Sequence, residues 1–267
     1  MPLLFVHDKQ GMRVHSIGMI RPDVMQLRQF YASALGRLVR AALEDAMHAY
    51  WPALHGDVTV GLGYANPALR PYLAEEAQGD CLLIPLMPAA QGAVYWPSHQ
   101  ANRTVLVDEE QLPFRDNLIN RVVLLHALEH AESQARLLNE IWRVLTPGGR
   151  LMVCVPNRRS IWASFSNTPF SYGKPYSVSQ LRDALCAAQF TYVDSQMAVQ
   201  VWPSQRRGIQ RLSRPVLRLL HWVFPMIGGV IVMEVEKQIY ASVKEPVRQG
   251  KARPAYAPVA KPAMTRN

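Results

Sequence analysis

The chain has 267 residues, a formal net charge of +9 and a hydrophobic fraction of 49%. This length and apolar content are typical of one globular domain with a sizeable core and some appendages. The sequence contains no run of about 18 uncharged apolar residues, and charged residues already occur within the first eleven positions. Neither a membrane span nor a secretory leader is predicted, and we expect a cytoplasmic protein.

The positive charge is concentrated at the C-terminus. Residues 242–267 contain six lysines and arginines against one glutamate, which accounts for five of the nine net charges. This tail is rich in proline and alanine and has few large apolar side chains, so burial cannot offset the entropy of ordering it, and we predict disorder. The remaining chain is only mildly basic, and no nucleic-acid partner is expected.

The first predicted element is an amphipathic helix from Asp23 to about Tyr50. Its apolar residues recur at spacings of three and four, while its arginines fall on the other face. Asp23 suits the start of a helix, and the Trp51-Pro52 step ends it. We assign residues 1–56 to an N-terminal extension that carries this helix.

Short apolar strands then alternate with helical stretches. The predicted strands are residues 58–60, 81–86, 104–107, 122–125, 151–155, 190–193 and 229–240. Strands that are apolar on both faces are typical of a parallel sheet covered by helices on both sides. We therefore predict an α/β domain over residues 57–241, with insertions at about 158–177 and 203–228 and the tail at 242–267.

Four segments of this domain carry the chemistry. They are the glycine turn Gly61-Leu62-Gly63-Tyr64-Ala65, the acidic segment 108–114 (DEEQLPF), the segment 126–130 (HALEH) and the turn 143–149 (RVLTPGG). A parallel sheet binds its ligand beyond the carboxyl ends of the strands, near the reversal of strand order. Glycine suits such a turn because it permits positive φ and has no Cβ between backbone and ligand.

Together these segments, within about residues 57–198, resemble the class I S-adenosylmethionine-dependent methyltransferases, most closely type 11. The resemblance implies a Rossmann-like fold with a mostly parallel seven-stranded sheet, and S-adenosylmethionine as cofactor. It places Gly61, Gly63 and Ala65 in the turn on the methionine side. Asp108 and Glu109 would flank the adenine, and His126 would lie at the cleft floor as the candidate catalytic residue.

Three customary acids of that family are replaced here. Thr59 precedes the first glycine, Met87-Pro88 follows the second strand, and Asn120 precedes the fourth. Loss of the ribose clamp alone would cost about 3–6 kcal/mol, or about 10² to 10⁴ in affinity. Two hypotheses follow: a methyltransferase acting on a small-molecule acceptor, or a catalytically silent methyltransferase fold that binds a partner or regulates.

Other candidate residues surround this site. Arg158 and Arg159 at the rim of the cleft, together with Tyr172, could contact the substrate, although a solvated rim and ordinary loop packing are the alternatives. His126 and His130 are spaced like a general base or a metal pair, but such histidines also serve as hydrogen-bonded packing residues. No metal site is predicted, and the three cysteines lack metal-ligand spacing.

A basic amphipathic pattern lies in the second insertion. Arg207, Arg211 and Arg218 recur at helical spacing beside an apolar face. The apolar face is expected to cap the sheet, and the three arginines are a candidate surface for a protein partner. Contact with a membrane surface is the less favoured alternative, because Pro215 interrupts the pattern.

Overall fold

The computed structural model describes residues 21–98, 101–160, 162, 168–200 and 228–239. Its helices are α1 (Val24–Ala32), α2 (Ala34–Tyr50), α3 (Asn66–Leu69), α4 (Leu73–Ala77), α5 (Gln134–Val144) and α6 (Val178–Ala187). Its strands are β1 (Val58–Gly63), β2 (Leu82–Pro88), β3 (Val105–Val107), β4 (Ile119–Leu125), β5 (Leu145–Pro156), β6 (Thr191–Ala198) and β7 (Val230–Glu236). Residues 1–20, most of the 203–228 insertion and the 242–267 tail lie outside the described ranges.

The strands form one seven-stranded sheet with the order β3-β2-β1-β4-β5-β7-β6. The pairs from β3 to β5 are parallel, while β7 runs antiparallel to both β5 and β6. The predicted Rossmann-like, mostly parallel α/β fold is confirmed. Because the chain order reverses between β1 and β4, the carboxyl ends of these two strands border the place where such a sheet binds a ligand.

Helices cover both faces of the sheet and create two cores. Val123 of β4 packs in the core beneath α1 and α2, whereas the adjacent Val122 packs in the core beneath α5 and α6. Both side chains are fully buried. Double burial explains the uninterrupted apolar runs of the central strands. In the part of the chain that the structure describes, no helix has the length and apolar character needed to cross a bilayer.

The helix predicted as continuous from Asp23 to Tyr50 is instead two helices that meet at Ser33. The Ser33 backbone is extended, its amide donates to the Phe30 carbonyl, and its hydroxyl accepts from the Gly36 amide at 3.0 Å. A Cβ on Gly36 would lie 1.9 Å from the Phe30 oxygen, so only glycine allows this crossing. The apolar periodicity continues through the break, and the sequence pattern therefore did not reveal it.

A buried lysine ties the end of β7 to the junction of α5 and β5. Lys237 is 3% exposed, and its Nζ donates at 2.7 Å to Asn117 Oδ1 and to the carbonyl oxygens of Trp142 and Leu145. Burial lowers the pKa of Lys237. The three acceptors compensate for the desolvation of the ammonium group.

We expect Lys237→Met to destabilise the protein by about 2–4 kcal/mol, because three buried acceptors would lose their donor while the apolar stem is kept. Urea unfolding followed by circular dichroism measures this loss. Lys174→Met, at an exposed lysine, is the control and should change stability by less than about 1 kcal/mol. Equal effects of the two substitutions would contradict a structural role for the Lys237 contacts.

Candidate functional site

The glycine turn after β1 lies tightly against the end of β4. The Tyr64 amide donates to the Leu125 carbonyl at 2.8 Å, and a Cβ on Gly63, whose φ is +90°, would lie 2.3 Å from the same oxygen. A Cβ on Gly61 would lie 2.6 Å from the Leu69 side chain. Internal packing therefore requires both glycines, whether or not a ligand binds.

Helix α1 covers this turn with aromatic side chains. The Tyr31 ring stacks on Tyr64 with centroids 5.5 Å apart, and its hydroxyl lies 2.9 Å from His126 Nε2. The Phe170 ring also contacts His126, with ring centroids 4.9 Å apart, and Phe30 packs on Phe170. Gly61, Gly63, Ala65 and His126 are all buried. The residues predicted to line the methionine half of a cofactor site are therefore buried, and Tyr31 of α1 covers them.

The start of α1 also covers the loop after β2, where the family places its ribose acid. Met87 and Pro88 are buried at the strand end. Gln91 follows, and its carbonyl accepts from the Val24 amide at 3.1 Å while its side-chain amide donates to the His126 carbonyl at 3.3 Å. Gln91 thus connects α1, the loop after β2 and the end of β4.

The two acids predicted to flank the adenine have different environments. Arg21, just before α1, donates to both carboxylate oxygens of Glu109 at 2.7 and 2.8 Å, with both side chains largely buried. Asp108 is exposed and accepts from the Glu110 amide at 2.9 Å, which closes a local turn. Glu109 therefore anchors the N-terminal segment over the sheet edge, and Asp108 faces solvent.

Beneath α1 lies a buried cluster of three ionisable residues. Glu129 Oε1 is 3.4 Å from His126 Nδ1 and 4.0 Å from His130 Nε2, and the carboxylate is fully buried. Burial alone would raise the pKa of Glu129, but the two imidazoles hold it below its usual value. Burial lowers the pKa of His130 to about 4. The cluster thus places one carboxylate between two imidazoles in a space closed to solvent.

The remaining predicted site residues lie elsewhere. Arg158 and Arg159 are exposed after β5, and Tyr172 is half-buried after the 3-10 turn Pro169–Ser171. Their roles toward a substrate stay predictions. Arg207, Arg211 and Arg218, the predicted partner surface, lie outside the described residues.

Sequence reasoning missed four residues that define this site: Phe30, Tyr31, Gln91 and Glu129. Helical periodicity marks Tyr31 as a core residue, but the pattern carries no information on which surface the helix covers. Glu129 belongs to the segment 126–130, and the resemblance of that segment to the family assigns no role to the Glu129 side chain. Asn120, at the position of a customary acid, accepts from the Val58 amide at 2.9 Å and so supports the sheet.

Residues 58–153 match the protein family described as "Methyltransferase domain". A demethylmenaquinone methyltransferase from Streptomyces avermitilis is 25% identical over 126 residues, which cover 47% of this chain and 53% of that protein. The chain spans about half the length of the curated relatives it matches.

Solved structures share the fold. A SAM-dependent methyltransferase from Thermotoga maritima is similar with a TM-score of 0.56 and 15% identity, covering 80% of this chain and 96% of that chain. A Haloferax volcanii complex between the Trm112 methyltransferase activator and a methyltransferase is similar with a TM-score of 0.52 and 14% identity, covering 81% and 95%. At these identities the likeness extends to the fold alone.

Gly63→Ala tests whether the turn is held by packing. We expect it to cost about 1–3 kcal/mol more than Gly79→Ala, because both glycines have positive φ but a Cβ on Gly79 would meet no atom within 4 Å. The backbone strain is common to both variants, so the difference between their free energies of unfolding measures the clash with Leu125. Chemical denaturation of both variants in ligand-free buffer measures it. Equal losses would show that the close approach of β1 and β4 is not required.

Proposed function

We propose that the protein, whose residues 58–153 match the family described as "Methyltransferase domain", keeps the methyltransferase fold but acts as a catalytically silent, partner-binding or regulatory protein. The observation that carries the proposal is the contact between Tyr31 and His126 across the strand ends. A cofactor bound in the family's position would compete with α1 for that space.

The free energy of burying α1 favours the closed state, in which α1 covers the glycine turn, over an open state that could bind a cofactor. Four side chains of α1 are buried, namely Val24, Leu27, Phe30 and Tyr31. At about 1.5–3 kcal/mol each, exposing them would cost about 6–12 kcal/mol as an upper bound. The absent ribose acid removes a further ~3–6 kcal/mol from cofactor binding. Since affinity falls with the population of the open state, a micromolar site would become weaker than millimolar.

An exposed apolar edge supports a role in protein binding. Val105 and Leu106 on the edge strand β3 are 43% and 54% exposed, and Tyr95 in the preceding loop is 58% exposed. An apolar edge strand is a surface on which another chain can dock. The Haloferax volcanii complex pairs a methyltransferase with an activator protein. We propose that the exposed β3 edge is a face for a protein partner, in a cytoplasmic protein.

The second candidate is a methyltransferase that transfers the methyl group of S-adenosylmethionine to a small-molecule acceptor. One observation favours it: α1 lies outside the matched segment 58–153, so a shift of α1 would uncover the glycine turn and His126 without disturbing the sheet. The relatives named demethylmenaquinone methyltransferases point to an acceptor that resembles demethylmenaquinone.

Calorimetric titration with S-adenosylhomocysteine separates the two candidates. For the silent fold we expect no saturable heat up to millimolar ligand, either in the full chain or in Tyr31→Ala. A methyltransferase gated by α1 would instead bind in Tyr31→Ala at least tenfold more tightly than in the unchanged chain, and Asp108→Ala added to that variant would weaken the binding.

Tyr95→Ala serves as the matched control for the loss of a tyrosine ring. Its side chain is exposed, so its loss should cost much less stability than loss of the buried Tyr31 ring and should leave the titration unchanged. Circular dichroism must first establish that Tyr31→Ala is folded, because removal of a buried aromatic ring costs about 3–5 kcal/mol. Saturable binding that Asp108→Ala weakens would overturn the silent assignment.

A further inference from the structure

The cluster beneath α1 leaves several ionisable atoms without hydrogen bonds. Within the described residues, His126 Nδ1, both oxygens of Glu129 and both nitrogens of His130 are buried and have no hydrogen-bond partner. Native proteins pair more than about 90% of buried polar groups, and a bound ion is one recognised reason for an exception. Five such atoms in one cluster indicate that a component completes it.

The unpaired atoms converge on one point. One ligand atom from each of His126, Glu129 and His130 can be chosen so that all three lie within 4.8 Å of one another. Ligands of a tetrahedral zinc ion, with bonds of about 2.0–2.1 Å, lie about 3.3 Å apart. Glu129 Oε1 lies 3.4 and 4.0 Å from its two imidazole partners, and the whole set lies within 4.8 Å. An ion bound among them would draw the three donors closer together.

We propose that His126, Glu129 and His130 form a binding site for a divalent transition-metal ion of the zinc type. This goes beyond the proposed function and contrasts with the sequence-based prediction of no metal. Two imidazole nitrogens and one carboxylate oxygen are a donor set that zinc accepts, whereas magnesium and calcium prefer oxygen donors alone. Three protein ligands also leave a fourth position for water.

Neighbouring groups orient the donors. The hydroxyl of Tyr31 pairs with His126 Nε2, which leaves Nδ1 directed at Glu129. Metal-bound histidines commonly have such an outer partner on the second ring nitrogen. The left-handed backbone of His126 (φ 55°) is held at its carbonyl by Gln91. The donors thus lie in the segment that follows β4, and their supports come from α1 and the loop after β2.

The position of the cluster suggests what the ion does. It lies at the floor of the closed cleft, covered by the rings of Tyr31 and Phe170. A metal there would neutralise the Glu129 carboxylate and hold His126 in the orientation that Tyr31 contacts. The ion therefore stabilises the docked position of α1.

Zinc content of the tag-free full chain tests the site. The protein is stripped with a chelator in denaturant, refolded with or without zinc sulfate, desalted and analysed by plasma mass spectrometry. We expect about one zinc per chain, a higher melting temperature in the zinc-loaded sample, and less than about 0.1 zinc per chain in Glu129→Gln and His130→Gln. His55→Gln, at an exposed histidine, is the control and should retain the metal.

Tyr31→Phe keeps the test decisive if a ligand variant does not fold. It preserves the ring but removes the outer partner of His126, and we expect a 10- to 100-fold loss of zinc affinity in competition with a chromogenic chelator. An unchanged affinity in folded Tyr31→Phe would count against the proposed geometry. Zinc absent from the unchanged chain, or retained equally by Glu129→Gln and His130→Gln, would overturn the site and leave a hydrogen-bonded polar cluster in its place.

Discussion

The docking of α1 on the carboxyl edge of the sheet is the constraint on which the rest of the structure depends. Tyr31 makes the decisive contacts, because its ring shields the glycine turn and its hydroxyl pairs with a histidine at the end of β4. Arg21 fastens the same segment to Glu109. Tyr31 and Arg21 together hold α1 over the strand ends, where the candidate cofactor site lies.

The glycine turn shows that a sequence motif can be required by internal packing. Gly61 and Gly63 allow β1 to approach α3 and β4 so closely that any Cβ would clash. Such packing alone makes the glycines necessary. At the positions of the customary acids the chain has Thr59, Met87 and Asn120. Packing accounts for the glycines, and the replaced acids are the residues on which the proposed loss of cofactor binding rests.

The polar cluster is the exception inside an otherwise apolar core. Well-packed hydrophobic residues of similar volume would stabilise a closed cleft at least as well as buried ionisable groups do. A core that had merely filled an abandoned pocket would not need Glu129 between two histidines. The cluster, its outer partner Tyr31 and the strained backbone of His126 form one arrangement. It links the covering helix to the floor of the cleft through polar contacts as well as through burial.

The sequence by itself determined the architecture in outline: apolar strands at regular intervals indicate a doubly covered, mostly parallel sheet, and the ordered turn segments resemble one family. The same resemblance located the missing acids, before the first glycine, after the second strand and before the fourth. Only the tertiary structure decided that the predicted first helix breaks at Ser33 and that α1 lies over the strand ends. Helical periodicity records which face of a helix is buried but not the surface it is buried against. The contact of Tyr31 with His126, 95 residues apart, is therefore a property of the fold and of no local pattern.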